Sequence, residues 1–148
     1  MMKRLVIWCL SVLFLGNLFA QENSRIGTTN FERDTMTINN IIRQIPKLRH
    51  AATDSAIGML LRSYRMSKEA SYVKGIAGSL VNLGLMYMDK GEYETSLRIY
   101  KEAIPYCRIV ALEQPKAIVL LYNNIAALYG NRNVYDTAAM YYSKALDR

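Results

Sequence analysis

Four asparagines, Asn82, Asn123, Asn124 and Asn131, stand at spacings that could do recognition chemistry. Each carboxamide offers a donor pair and an acceptor, the combination that holds an extended peptide backbone. On helices, Asn82, Leu85 and Asp89 follow at three- and four-residue steps and share one face. Asn123, Asn124, Ala127 and Asn131 form a second such set. Asn82 and Asn124 are 42 residues apart, so hydrogen bonding between neighbouring helices explains that pair equally well.

Other residue types give little support for catalysis. His50 has no second His or Cys at helical ligand spacing, so no zinc set is expected. No G-x-S-x-G, glycine-rich phosphate loop or H-E-x-x-H occurs. Glu92 and Glu94 lie two apart, a spacing that does not bring side chains together on a helix, and charge near a helix start accounts for them. No catalytic residue, cofactor or metal is expected, and the chain reads as a non-enzyme.

The elements that position the asparagines begin after residue 20. "MMKR" supplies positive charge, "LVIWCLSVLFLG" a short apolar core, and Ala20 a small residue before Gln21, the layout of a secretory signal peptide. Residues 5–20 number sixteen, whereas a membrane span takes about 20. Export across the cytoplasmic membrane, with cleavage near Ala20, is therefore expected. Cys9 would leave with the signal, so Cys107 would remain as a lone thiol with no intramolecular disulfide, most simply a core residue. Loss of Lys3 and Arg4 would take 19 basic residues to 17 against 12 acidic, and the net charge from +7 to +5. That excess is scattered, which argues against nucleic acid as a partner.

Residues 21–35 are polar with no apolar period and read as a flexible leader. From Met36 onward, Ile and Leu recur at helical intervals, and no strand-like alternation appears. Pro46 is expected to end or kink the first helix, Pro105 to bend a later one, and Pro115 to open a new one. Residues 80–104 match 122–146 without a gap. Asn82/Asn124, Tyr87/Tyr129, Tyr93/Tyr135, Thr95/Thr137, Tyr100/Tyr142 and Ala103/Ala145 are identical. A constant offset over this length marks a structural repeat. Gly84 and Ala126 are expected where helices approach most closely, opposite Ser96 and Ala138. Gly91 and Asn133 occupy the same slot in the turns, where a positive φ ends a helix.

On these residues the chain resembles the tetratricopeptide repeat family. The family pattern appears as Leu80, Leu83-Gly84, Tyr87, Ser96, Tyr100 and Ala103, and again as Tyr122, Ile125-Ala126, Tyr129, Ala138, Tyr142 and Ala145. The family's Pro would fall on Arg108, and the 42-residue period exceeds the usual ~34. The resemblance implies an all-α fold, a right-handed superhelix (α-solenoid) of antiparallel helical hairpins. The expected divisions are a signal peptide (1–20), a leader (21–35), a degenerate first repeat (36–76) and repeats at 77–118 and 119–148. In the degenerate unit Ala56, Leu60 and Ser63 stand in for Ser96, Tyr100 and Ala103.

Together with the export signal, the resemblance implies an exported scaffold that binds a protein or peptide segment in a concave groove lined by the first helices. Asn82, Leu85, Asp89, Asn123, Asn124, Ala127 and Asn131 are then the candidate partner-binding positions. The alternative is the extracytoplasmic sensory region of a membrane-anchored bacterial signalling protein, a histidine kinase or transcriptional regulator, with its effector part outside this chain. Membrane contact is expected only through such a part or an uncleaved signal. Relatives that clamp a terminal carboxylate carry Lys and Arg beside the Asn residues. Here those neighbours are Gly78, Val81, Leu120 and Asn123, so that clamp is not expected. No polar helix follows the last hairpin, which makes self-association there a further expectation.

Overall fold

The computed structural model describes residues 2–49 and 51–147, with the side chains at 2–19, 23 and 26 left undescribed. Six helices follow one another: α1 (Met2–Leu48), α2 (Thr53–Glu69), α3 (Val73–Asp89), α4 (Tyr93–Ala111), α5 (Lys116–Asn131) and α6 (Tyr135–Leu146). The described residues contain no strand. The chain divides into two units, Met1–Asp34 and Thr35–Arg148.

In the first unit the apolar stretch 5–16 lies outside the described side chains. Residues 21–35, where the sequence predicts a flexible leader, are helical. An apolar period reports a buried face rather than helicity itself, because a helix closes its own backbone hydrogen bonds. The described side chains of residues 20–33 are accordingly exposed.

The second unit is an all-α repeat array in which α2 packs on α3, α3 on α4, α4 on α5 and α5 on α6. Ile38 and Ile42 of α1 approach α3 at Gly75 and Gly78. Two layers result: the end of α1 with α3 and α5, and α2 with α4 and α6. Pro46 lies in the last turn of α1, which stops two residues later at Leu48, whereas α4 continues through Pro105. Pro115 caps the start of α5 with φ −52°.

The internal repeat is visible in burial. Residues 122–131 reproduce the pattern of 80–89 at every position but one, where Asn123 is exposed and Val81 buried. Residues 60–69 likewise reproduce 100–109, which places Leu60 and Ser63 in the slots of Tyr100 and Ala103.

Three helices end in the same hydrogen-bonded turn. After α3, Gly91 N–H donates to Met88 O and Glu92 N–H to Tyr87 O. After α5, Asn133 N–H donates to Gly130 O and Val134 N–H to Tyr129 O. The turn after α2 pairs Ser71 with Lys68 and Tyr72 with Ser67. This is the Schellman arrangement, which requires a left-handed residue. Gly91 (φ 77°), Asn133 (φ 59°) and Ser71 (φ 52°) provide it. Ser71 is the costly member, since a side chain with no special tolerance of that region occupies it.

Small residues set the closest approaches between helices. Ser96 Oγ donates to the Gly84 carbonyl at 2.6 Å, and the Ser63 and Ser79 hydroxyls meet at 2.8 Å between α2 and α3. A Cβ on Gly84 would lie 2.5 Å from Tyr100 Cδ1 and 2.8 Å from Cζ, inside the ring's contact surface. The Tyr100 side chain is fully buried there, and its hydroxyl has no hydrogen-bond partner. In the following hairpin Ala126 stands at the glycine position, and the corresponding ring, Tyr142, is 46% exposed.

Candidate functional site

A groove of about 260 Å³ opens on the layer formed by α1, α3 and α5. Its walls come from Ile42 of α1, Gly78 and Val81 of α3, and Ala117 and Leu120 of α5. Gly78 keeps the floor low: a Cβ there would come within 3.0 Å of Ile42 Cδ1. Leu120 is 55% exposed, an apolar side chain left open at the groove edge. Asn39, Lys74, Asn82 and Gln114 supply the polar rim. The space suits a side chain or two of an extended segment, being smaller than the ~300–1,000 Å³ typical of small-molecule pockets.

Of the seven positions chosen from the sequence, Asn82 lines this groove. Its Nδ2 donates to Gly78 O within the same helix at 2.8 Å, so its first bond is local rather than to a neighbouring helix. Oδ1 is left to accept. Leu85 is half-buried against the core. Asp89 is engaged by Arg49, which donates through Nε and Nη2 at 2.5 and 2.7 Å. Asn123 and Asn131 are exposed, while Asn124 and Ala127 are half-buried, farther along α5 than the groove residues Ala117 and Leu120. His50 lies outside the described residues.

Sequence reasoning passed over Lys74, Gln114 and the α1 wall. A usable signal existed, because Lys74 and Lys116 also stand 42 residues apart. Cys107 reaches the groove but is only 1% exposed, and burial pushes its thiol up to about 11. It remains protonated at neutral pH and is a poor nucleophile. Among the described residues no cluster of His, Cys, Asp and Glu could hold a metal ion, and no helix is long and apolar enough to cross a membrane.

Ion pairs between hairpins recur at the opposite end of the helices. Lys90 Nζ lies 3.1 Å from Asp54 Oδ1, and Arg132 Nη2 lies 2.8 Å from Glu94 Oε1. Each joins the end of one first helix to the first turn of the preceding second helix. On α6, Tyr135, Ala139, Tyr142 and Leu146 form an exposed stripe at helical spacing, with Tyr135 66% and Leu146 85% exposed. The equivalent α4 residues Leu97 and Tyr100 are buried.

The family model of the tetratricopeptide repeat matches residues 76–111, the span that holds most of α3 and all of α4. No curated protein and no solved structure gives a match. A tetratricopeptide-type repeat therefore rests on both the matched span and the packing of its two helices.

Proposed function

We propose that this chain is an exported scaffold that binds a protein segment in the groove between α1, α3 and α5. The observation that carries the reading is the groove itself. It is an open, largely apolar channel lined mainly by three first helices, with Cys107 and Val110 of α4 completing the lining, in a repeat of a kind used for protein binding. The partly exposed Leu120 supplies apolar area that a bound segment would cover. Recognition rather than chemical conversion is the activity. The first twenty residues support export, through their basic start, apolar core and small residue before Gln21.

A photo-crosslinking residue at position 120 tests the groove. Adducts with a second protein are expected there and not from position 65, an exposed site on α2. Equal labelling at both positions, or none at 120, would refute the reading. Export predicts a mature N-terminus at Gln21 by mass spectrometry, and an intact Met1 in the purified extracytoplasmic fraction would contradict it.

Self-association through α6 is a second reading, favoured by its exposed stripe. Light scattering should then show a dimer that Tyr142→Glu dissolves. A monomer at high micromolar concentration would refute this reading.

A further inference from the structure

The groove has a cationic end. Lys74 is the second residue of α3 and Lys116 the first of α5, at the same position in two successive repeats. Both are exposed, and neither joins an ion pair among the described residues. A helix start is the place where an acidic side chain is stabilised and a cation is not. The second helices follow that rule, with Asp54, Glu94 and Asp136 in the first turns of α2, α4 and α6. The first turns of α3 and α5 contain no acid.

The distribution of carboxylates sharpens the contrast. Asp54, Glu69, Glu94, Glu102 and Asp136 all lie on the second helices. The one carboxylate on α3 and α5 is Asp89, at the far end of α3 and already held by Arg49. The groove therefore combines an apolar floor with Lys74 in its lining, Lys116 next to the lining residue Ala117, and two positive helix ends on one side, with Glu113 beside Gln114 as the nearby carboxylate in sequence.

Building on the peptide-groove reading above, we propose that the occupant is an extended acidic segment. One apolar side chain sits over Gly78, Val81 and Leu120, and an Asp or Glu a few residues away faces Lys74 and Lys116. The free Oδ1 of Asn82 and the carboxamide of Gln114 hold its backbone from the rim. A single-stranded nucleic acid fits less well: the groove lining contains no aromatic ring on which a base could stack.

Selection of random 12-residue peptides displayed on phage against the purified chain tests this. Enriched sequences should carry Asp or Glu within about three residues of Leu, Ile, Met or Phe. Reversing both charges, K74E with K116E, should turn the enrichment toward Lys and Arg and weaken the best acidic peptide about tenfold in fluorescence anisotropy, an effect that shrinks with added salt.

Absence of acidic enrichment, or enrichment indifferent to the charge reversal, overturns the inference. If L120D still abolishes selection in that case, the groove reading survives. Selection no better than an empty support overturns both. Displacement of the acidic peptide from wild-type protein by a dT12 oligonucleotide, lost in the charge-reversed variant, would overturn the proposal in favour of nucleic acid.

Discussion

Replacing Gly84 by alanine adds one methyl group where the Tyr100 ring already sits. The new Cβ would come within 2.8 Å of three ring atoms, and Tyr100 is wholly buried with its neighbours packed around it. Alanine is the better helix former by about 1 kcal/mol. Overpacking costs about 1–3 kcal/mol, and a ring driven into solvent forfeits burial worth about 1.5–3 kcal/mol. The expected net effect is a destabilisation of up to about 2 kcal/mol. Urea unfolding followed by circular dichroism measures it, with the m-value as a check that the change lies in stability.

Two controls and a cycle isolate the cause. Gly58 and Gly130 have nothing within 4 Å of an added Cβ, so alanine at either should stabilise by up to about 1 kcal/mol. In a Tyr100→Ala background the clash is gone, and Gly84→Ala should become stabilising. The coupling between the two substitutions is then about 2 kcal/mol. If Gly84→Ala behaves like Gly58→Ala, or if the two changes are additive, the steric account is wrong. The chain already contains the natural counterpart, since Ala126 accompanies a Tyr142 ring that lies partly in solvent.

Tyr100→Ala should cost about 3–5 kcal/mol in the same assay, whereas Tyr100→Phe should be neutral or gain up to about 1 kcal/mol by removing a buried hydroxyl without a partner. Ala138→Leu should cost about 1–3 kcal/mol, because Ala138 is buried on α6, which packs on α5, and a neutral melt would count against this register. Ser71→Gly should raise stability by about 1 kcal/mol through relief of the left-handed backbone, and Gly91→Ala should lower it by a similar amount. Cys107, buried with its thiol pushed up to about 11, should resist iodoacetamide at pH 8 and react only in denaturant. Rapid labelling of the native chain would show an open thiol.

The hairpins were legible because each depends on contacts between residues close in sequence. The 42-residue offset paired Gly91 with Asn133, and both adopt the positive φ that their shared slot demands. Leu60 and Ser63 take their slots in the degenerate first repeat by the same logic and are buried as their counterparts are. The groove was less legible. Helical spacing gives a set of faces but not which of them a neighbouring helix covers. Asp89 is taken up by Arg49, forty residues away, and Val81, noted in the sequence only as a neighbour of the asparagines, is a groove wall. Ile42 could not be assigned from its own repeat, since its role depends on the glycine opposite, Gly78. The two lysines carried the stronger hint, being cations where the helix start favours acids.

The pairs Arg49–Asp89, Lys90–Asp54 and Arg132–Glu94 all sit where each hairpin reverses. Lys74 and Lys116 stand at the other extremity, where the second helix of one unit gives way to the first of the next. Dissolved electrolyte would screen the more exposed Lys90–Asp54 and Arg132–Glu94 pairs more than the partly buried Arg49–Asp89, while leaving the apolar contacts intact. Ionic strength would then act on stability at one extremity and on the attraction of the lysines for an acid at the other, two effects that a titration at several salt concentrations would have to tell apart.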